Sequence, residues 1–144
     1  MITKTISHNN TIEAQESDYL FVKASQIPEA GNGLFTAIAI YKNEIISLFK
    51  GEIIDAMEAD RRIQLNHDKY FINLLEGGIM DSMHTDCFAK YANDTKGASN
   101  SLFKNNAKIT LDDDHNVCLK ATKNIKSGAE VFCGYGKTYW KKHL

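Results

Sequence analysis

The stretch Val117-Cys118-Leu119-Lys120-Ala121-Thr122-Lys123-Asn124-Ile125-Lys126-Ser127-Gly128-Ala129-Glu130-Val131-Phe132-Cys133-Gly134-Tyr135-Gly136 decides how this chain is read. It reads as strand, turn, strand, and it delivers a tyrosine between two glycines. Glycine weakens a strand interior, so Gly134 and Gly136 are poor strand design around Tyr135. A tyrosine held by permissive backbone, with Tyr139 and Trp140 close behind it, indicates an active site more than a packed core. The stretch gains meaning beside two upstream segments, Gly31-Asn32-Gly33-Leu34-Phe35 and Ala92-Asn93-Asp94.

The gross numbers narrow the class. A chain of 144 residues predicts one domain, large enough to bury a core. Seventeen basic against eighteen acidic residues leave a net charge of -1, which argues against strong nonspecific binding of nucleic acid. Cys87, Cys118 and Cys133 are widely spaced, with no C-x-x-C pair and no histidine at metal-finger spacing, so no metal site is expected. The same odd count fits a reducing compartment. The polar N-terminus has no apolar core of a signal peptide, and no run reaches the ~20 apolar residues of a membrane span. The expectation is an intracellular protein, cytoplasmic or, in a eukaryotic or viral setting, nuclear or on host chromatin.

Along the chain, residues 1–18 read as a flexible extension and 19–144 as the folded domain. Tyr19–Lys23, Leu34–Ile40 and Glu44–Phe49 read as strands, with Lys42-Asn43 at a turn. Asp55 to Asn66 reads as a helix with Asp55 as N-cap, Glu58 completing a capping box, and Met57, Ile63 and Leu65 as a thin apolar side. Tyr70–Leu75 and Ile79–Asp81 read as a hairpin whose Gly77 and Gly78 supply positive φ. Asp86–Asn93 reads as a short helix. Asn106–Leu111 and Asn116–Lys123 form a second hairpin whose tip, Asp112-Asp113-Asp114, is a solvated face. Many short strands without βαβ rhythm exclude a Rossmann sheet, so the Gly-x-Gly of Gly31 and Gly33 is not read as a dinucleotide loop.

Four segments, in this order, resemble the motifs of the SET domain, a family of protein-lysine methyltransferases using S-adenosylmethionine. Gly31-Asn32-Gly33-Leu34-Phe35 resembles G-x-G-[LV]-[FY]. Phe49-Lys50-Gly51-Glu52 resembles Y-x-G-E. Phe88-Ala89-Lys90-Tyr91-Ala92-Asn93-Asp94, with Asn106-Ala107 downstream, resembles R-F-[IA]-N-H-S-C-x-P-N-A. Glu130-Val131-Phe132-Cys133-Gly134-Tyr135-Gly136 resembles E-[LI]-x-[FY]-D-Y-G. Each motif is weak alone; their conjunction over residues 19 to 142 is specific. The resemblance implies a mainly β fold with short helices, a β-clip of several small sheets closed by a C-terminal pseudoknot. It implies a minimal member without the flanking zinc clusters, and residues 53–70 as a variable insert shaping the substrate groove.

The resemblance also implies roles. Tyr135 is the expected catalytic tyrosine, orienting amine and methyl group. Gly31, Asn32, Gly33, Leu34, Tyr91, Asn93, Asp94 and Trp140 are the expected cofactor-binding residues, and for Trp140 a plain core role is weighed equally. Phe88, Cys133, Tyr135 and Tyr139 are expected to line the substrate-lysine channel, where the small Cys133 leaves room for di- or trimethylation. The implied cofactor is S-adenosylmethionine, leaving as S-adenosylhomocysteine, with no metal. The implied partner is a protein with an exposed lysine, a histone or another basic protein; no membrane and no nucleic acid are expected, and a homodimer stays open. The chain departs from the motifs in having Asp94 for histidine, Phe49 for tyrosine, Gly134 for aspartate and no proline before Asn106-Ala107. About ten residues, Lys96 to Asn105, intervene there, tolerable because loop closure entropy grows slowly with length. These departures motivate the alternative of a SET-like module that binds protein or cofactor with little or no turnover.

Overall fold

The computed structural model describes residues 4–6, 9–74, 77–95 and 103–134. In chain order these residues form β1 (Leu20–Ala24), β2 (Asn32–Thr36), β3 (Ile45–Leu48), β4 (Glu52–Ile54), α1 (Ala56–Gln64), β5 (Phe71–Asn73), β6 (Ile79–Asp81), β7 (Ala107–Leu111), β8 (Val117–Ala121), β9 (Glu130–Val131) and β10 (Cys133–Gly134), with 3-10 turns at Glu16–Asp18 and Ala89–Tyr91. The strands make three small sheets, ordered β1-β2-β9, β10-β7-β8-β3 and β4-β6-β5. This is the mainly β architecture that the short strands predict.

The second hairpin forms as expected. Aliphatic residues of β7 pair antiparallel with β8 from Ala107↔Ala121 to Leu111↔Val117, and Leu119, Ala121 and Ala107 point into the core. Its acidic tip is more than a solvated face. Asp112 Oδ1 accepts the N–H groups of Asp114 (2.9 Å) and Asn116 (2.8 Å), which builds the turn, as Asp does when it bonds its own backbone.

The C-terminal run threads between two other parts of the chain. Phe132 bridges to Asn93 in parallel, and the Cys133 N–H donates to the Asn93 carbonyl at 2.9 Å. On the other side β10 pairs parallel with β7. Asn106 secures the crossing: its side chain accepts the Phe132 N–H (2.8 Å) and donates to the Glu130 carbonyl (3.0 Å). This three-way crossing is the described part of the expected pseudoknot.

Several local readings are corrected. The turn Asp86–Asn93 is not an α-helix; only a 3-10 turn, Ala89–Tyr91, forms, because the chain must extend at Ala92 to reach Phe132. In the first hairpin only Gly77 has positive φ, 95°; Leu75 and Glu76 lie outside the described residues. Asp55 caps α1 by accepting the Glu58 N–H at 2.9 Å, but Glu58 does not complete the box. Its carboxylate accepts instead from Arg61 and Arg62. The apolar side read along α1 is not what docks it: Met57 is 82% exposed, and Ile63 and Leu65 are exposed too, leaving Ala59 as the buried residue. Arg62 docks the helix, binding Glu52 of β4 and the buried Asp81 of β6.

Residues 1–18 read as a flexible extension. Their described part is docked along β3: Ile12 joins the core, Thr11 bridges to Ile45, Lys4 pairs with Glu44, and the Glu16 carboxylate accepts from Ser47 Oγ and the Leu48 N–H.

Candidate active site

The segment between β1 and β2 carries the first wall of the site. The Ser25 N–H donates to the Gly31 carbonyl at 2.8 Å and closes the loop at its neck. Gly31 takes φ 73°, the left-handed region, with open space where a Cβ would stand, a conformation glycine adopts without strain. The second wall is the 3-10 turn and its extended exit, Tyr91 to Asp94. The two walls are bonded together by the Asn93 side chain, whose N–H donates to the Asn32 carbonyl at 3.0 Å.

Between them lies a cavity of about 380 Å³, lined by residues 30–32 and 91–94 together with Lys69, Tyr70 and Lys90. Five expected cofactor residues, Gly31, Asn32, Tyr91, Asn93 and Asp94, therefore meet at one cavity. Two do not line it. Leu34 is fully buried in the core of the β1-β2-β9 sheet. Gly33 faces the Glu130 carboxylate, where a Cβ would come within 2.2 Å of Oε2; its missing side chain makes room for Glu130.

Tyr70 and Lys90 are the site residues the sequence reading missed. Lys90 Nζ donates to the carbonyls of Ser82 (3.0 Å), Met83 (3.3 Å) and Thr85 (3.1 Å). The same ammonium lies 5.3 Å from the ring centroids of both Tyr70 and Tyr91, within cation–π range. A lysine inside the apolar run Phe88 to Ala92 was the available signal; Tyr70 was hidden at the end of a segment set aside as variable.

A second, larger cavity of about 650 Å³ shares Lys90 and Tyr91 with the first. It is bounded on its far sides by Phe88, Cys87, Leu48 and the docked N-terminal residues 14–17. Phe88, expected at the lysine channel, thus stands at the neighbouring cavity. Cys133, expected in the same channel, is fully buried on β10 and packed in the core, where β10 pairs with β7 on one side and bonds to Asn93 on the other. It lines neither cavity. Tyr135, Tyr139 and Trp140 lie outside the described residues.

The comparisons with known proteins agree with this architecture. The family model for the SET domain matches residues 31–136, and the chain belongs to that family. Among solved structures, ctPRC2 in an autoinhibited conformation bound to S-adenosylmethionine is similar at 26% identity and a TM-score of 0.70, over 86% of this chain and 16% of that one. An apo ctPRC2 carrying two substitutions in Ezh2 is similar at 28% identity and a TM-score of 0.69, over 85% of this chain and 16% of that one. This chain thus corresponds to a small part of those much longer chains.

Proposed function

We propose that the protein is a methyltransferase that uses S-adenosylmethionine to methylate the ε-amine of a lysine in a protein substrate. The observation carrying this reading is the Asn93–Asn32 bond, which fastens the Gly31 loop to the Tyr91–Asp94 segment around one cavity in a SET-family chain.

The residues present fit such a cofactor. A cavity of about 380 Å³ falls within the usual range for small ligands. Gly31 offers bare backbone, Asp94 offers a carboxylate to an α-ammonium, and Lys69 offers an ammonium to an α-carboxylate. When bound, the cofactor supplies a methyl group on a positively charged sulfur. The chain's own residues must then do two things. They must admit a lysine, whose reference pKa of ~10.4 means that it arrives charged, and they must favour its neutral form. The aromatic residues assigned to the lysine channel, Phe88, Tyr135 and Tyr139, suit the first task. Exclusion of water from the slot serves the second, since burial disfavours the charged amine. Tyr135 is assigned from its motif as the residue that aims the amine by its hydroxyl, and Tyr139 and Trp140 from theirs as channel and cofactor walls. Positioning of this kind supplies much of a transfer rate. A protein with an exposed lysine, a histone or another basic protein inside the cell, is the substrate class in this reading.

Calorimetric titration with S-adenosylmethionine tests the cofactor, and incubation of a panel of basic proteins with methyl-labelled cofactor tests the transfer. Binding with labelled protein supports the reading. Binding with no label in any protein favours the binding module without turnover, and no binding overturns both.

A further inference from the structure

Glu130 is nearly fully buried, at 1% exposure, yet among the described residues no cation pairs with it. Burying a carboxylate without compensation is costly, so its hydrogen bonds must carry it. Among the described residues, all come from one place. Ser25 Oγ donates to Oε2 at 2.6 Å, the Gln26 N–H donates to Oε1 at 2.8 Å, and the Gln26 side-chain amide donates to Oε1 at 3.4 Å. Ser25 Oγ in turn accepts the Ile27 N–H at 3.1 Å. The carboxylate therefore holds the first residues of the loop whose far end, residues 30–32, walls the candidate cofactor cavity.

That loop needs holding. It carries two left-handed residues, Glu29 at φ 65° and Gly31 at φ 73°. It has little pairing of its own beyond its neck and one turn, in which the Ala30 N–H donates to the Ile27 carbonyl. The strands it joins are already registered without Glu130's side chain, since β1 pairs with β2 over five residue pairs and β2 with β9 by backbone. The carboxylate is therefore not needed to form the sheet. Its bonds leave the sheet and end in the loop.

Gly33 completes the device. It lies on β2 beside Phe35, which is Glu130's strand partner. Any side chain there would collide with the Glu130 carboxylate and with the Ser25 backbone, whose Cα is 3.2 Å from the Cβ position. Gly31 and Gly33 thus have different tasks: Gly31 shapes the wall of the cavity, and Gly33 admits the carboxylate that fixes it. Glu130 also stands five positions before Tyr135 on the same run, so one residue ties the cofactor wall to the segment leading to the assigned catalytic tyrosine.

We propose that Glu130 is a positioning residue: its carboxylate, seated against Gly33, clamps Ser25 and Gln26 and thereby sets the Gly31–Asn32 wall for the cofactor. This rests on the methyltransferase reading and deepens it. Glu130 lines neither of the two cavities, so its loss acts on cofactor affinity more than on the transfer step.

The test compares the wild type with Glu130→Ala, Glu130→Gln, Gly33→Ala and Ser25→Ala. It reads the Kd for S-adenosylmethionine, KM and kcat in the methyl-transfer assay, and the melting temperature. Glu130→Ala and Gly33→Ala are expected to raise Kd and cofactor KM about tenfold or more, with kcat at saturating cofactor within about threefold of wild type. Glu130→Gln is expected to recover most of the affinity, because its carbonyl still accepts the Gln26 N–H and its amide faces the Ser25 hydroxyl. Ser25→Ala, which leaves the buried position packed, is expected to raise Kd about threefold and decides the matter should Glu130→Ala not fold. Wild-type affinity in Glu130→Ala or Ser25→Ala, or a fall in kcat with KM unchanged, overturns the clamp alone. Failure of the wild type to bind S-adenosylmethionine overturns the methyltransferase reading and the clamp with it.

Discussion

Asp94 and Gly134 share one small space: a Cβ on Gly134 would lie 3.8 Å from Asp94 Oδ2 and 3.4 Å from Asn105 Nδ2. Both residues depart from the family motifs, and here the departures meet. The Asn105 side chain is organised around Asp94, donating to Oδ1 at 3.0 Å while its own oxygen accepts from the Thr95 N–H and hydroxyl. One carboxylate fits this corner. Gly134→Asp adds a second within about 4 Å, a repulsion of roughly 1 to 3 kcal/mol at a half-exposed site. Urea unfolding should show that loss, and Asp94→Asn in the same chain should recover much of it. Additive effects of the two changes would show that the residues do not interact.

Arg62 is the docking element of α1. Its guanidinium reaches Glu52 (3.0 and 3.1 Å), Glu58 (2.7 Å) and the buried Asp81 (2.8 Å). Arg62→Met strands the Asp81 charge, and removing one partner of such a cluster costs more than removing both. The melting temperature should fall by roughly 5 to 10 °C. Arg62→Met with Asp81→Asn should melt higher than Arg62→Met alone.

Acid stability should carry the signature of Glu58. Its hydrogen bonds from Arg61, then from Arg62, lower its pKa from 4.5 to about 2. A carboxyl depressed in the folded state stabilises the fold above its unfolded value, and that contribution disappears as pH falls from about 4.5 to about 2. Urea midpoints measured across that window should fall more steeply for the wild type than for Glu58→Gln. Equal slopes would contradict the linkage.

The Asn93–Asn32 bond joins the two walls of the cavity. Asn93→Ala removes it, and a lost hydrogen bond of about 1 to 1.5 kcal/mol corresponds to roughly a tenfold weaker Kd for S-adenosylmethionine. Isothermal titration reads this directly, and an unchanged Kd would remove Asn93 from the site.

Much of this was legible in the sequence because the signals are local. The β7–β8 hairpin, the Asp55 cap and the ordered motifs around Gly31, Asn93 and Glu130 are short patterns with fixed spacing. What was not legible depends on partners brought in by the fold. Arg62 docks α1 through carboxylates on β4 and β6, so no periodic apolar face announces the helix's inner side. Lys90 and Tyr70 come together only when the Ser82–Thr85 turn folds over the 3-10 turn. Gly33 reads as half of a cofactor loop until Glu130 is seen behind it.

The most direct measurement is peptide-level mass spectrometry of a basic protein panel after incubation with S-adenosylmethionine and either wild type or Tyr135→Phe. The account predicts methyl groups on lysine side chains with the wild type and about 100-fold slower transfer with Tyr135→Phe, while both bind the cofactor equally. Methylation at residues other than lysine, or equal rates for the two proteins, would contradict it.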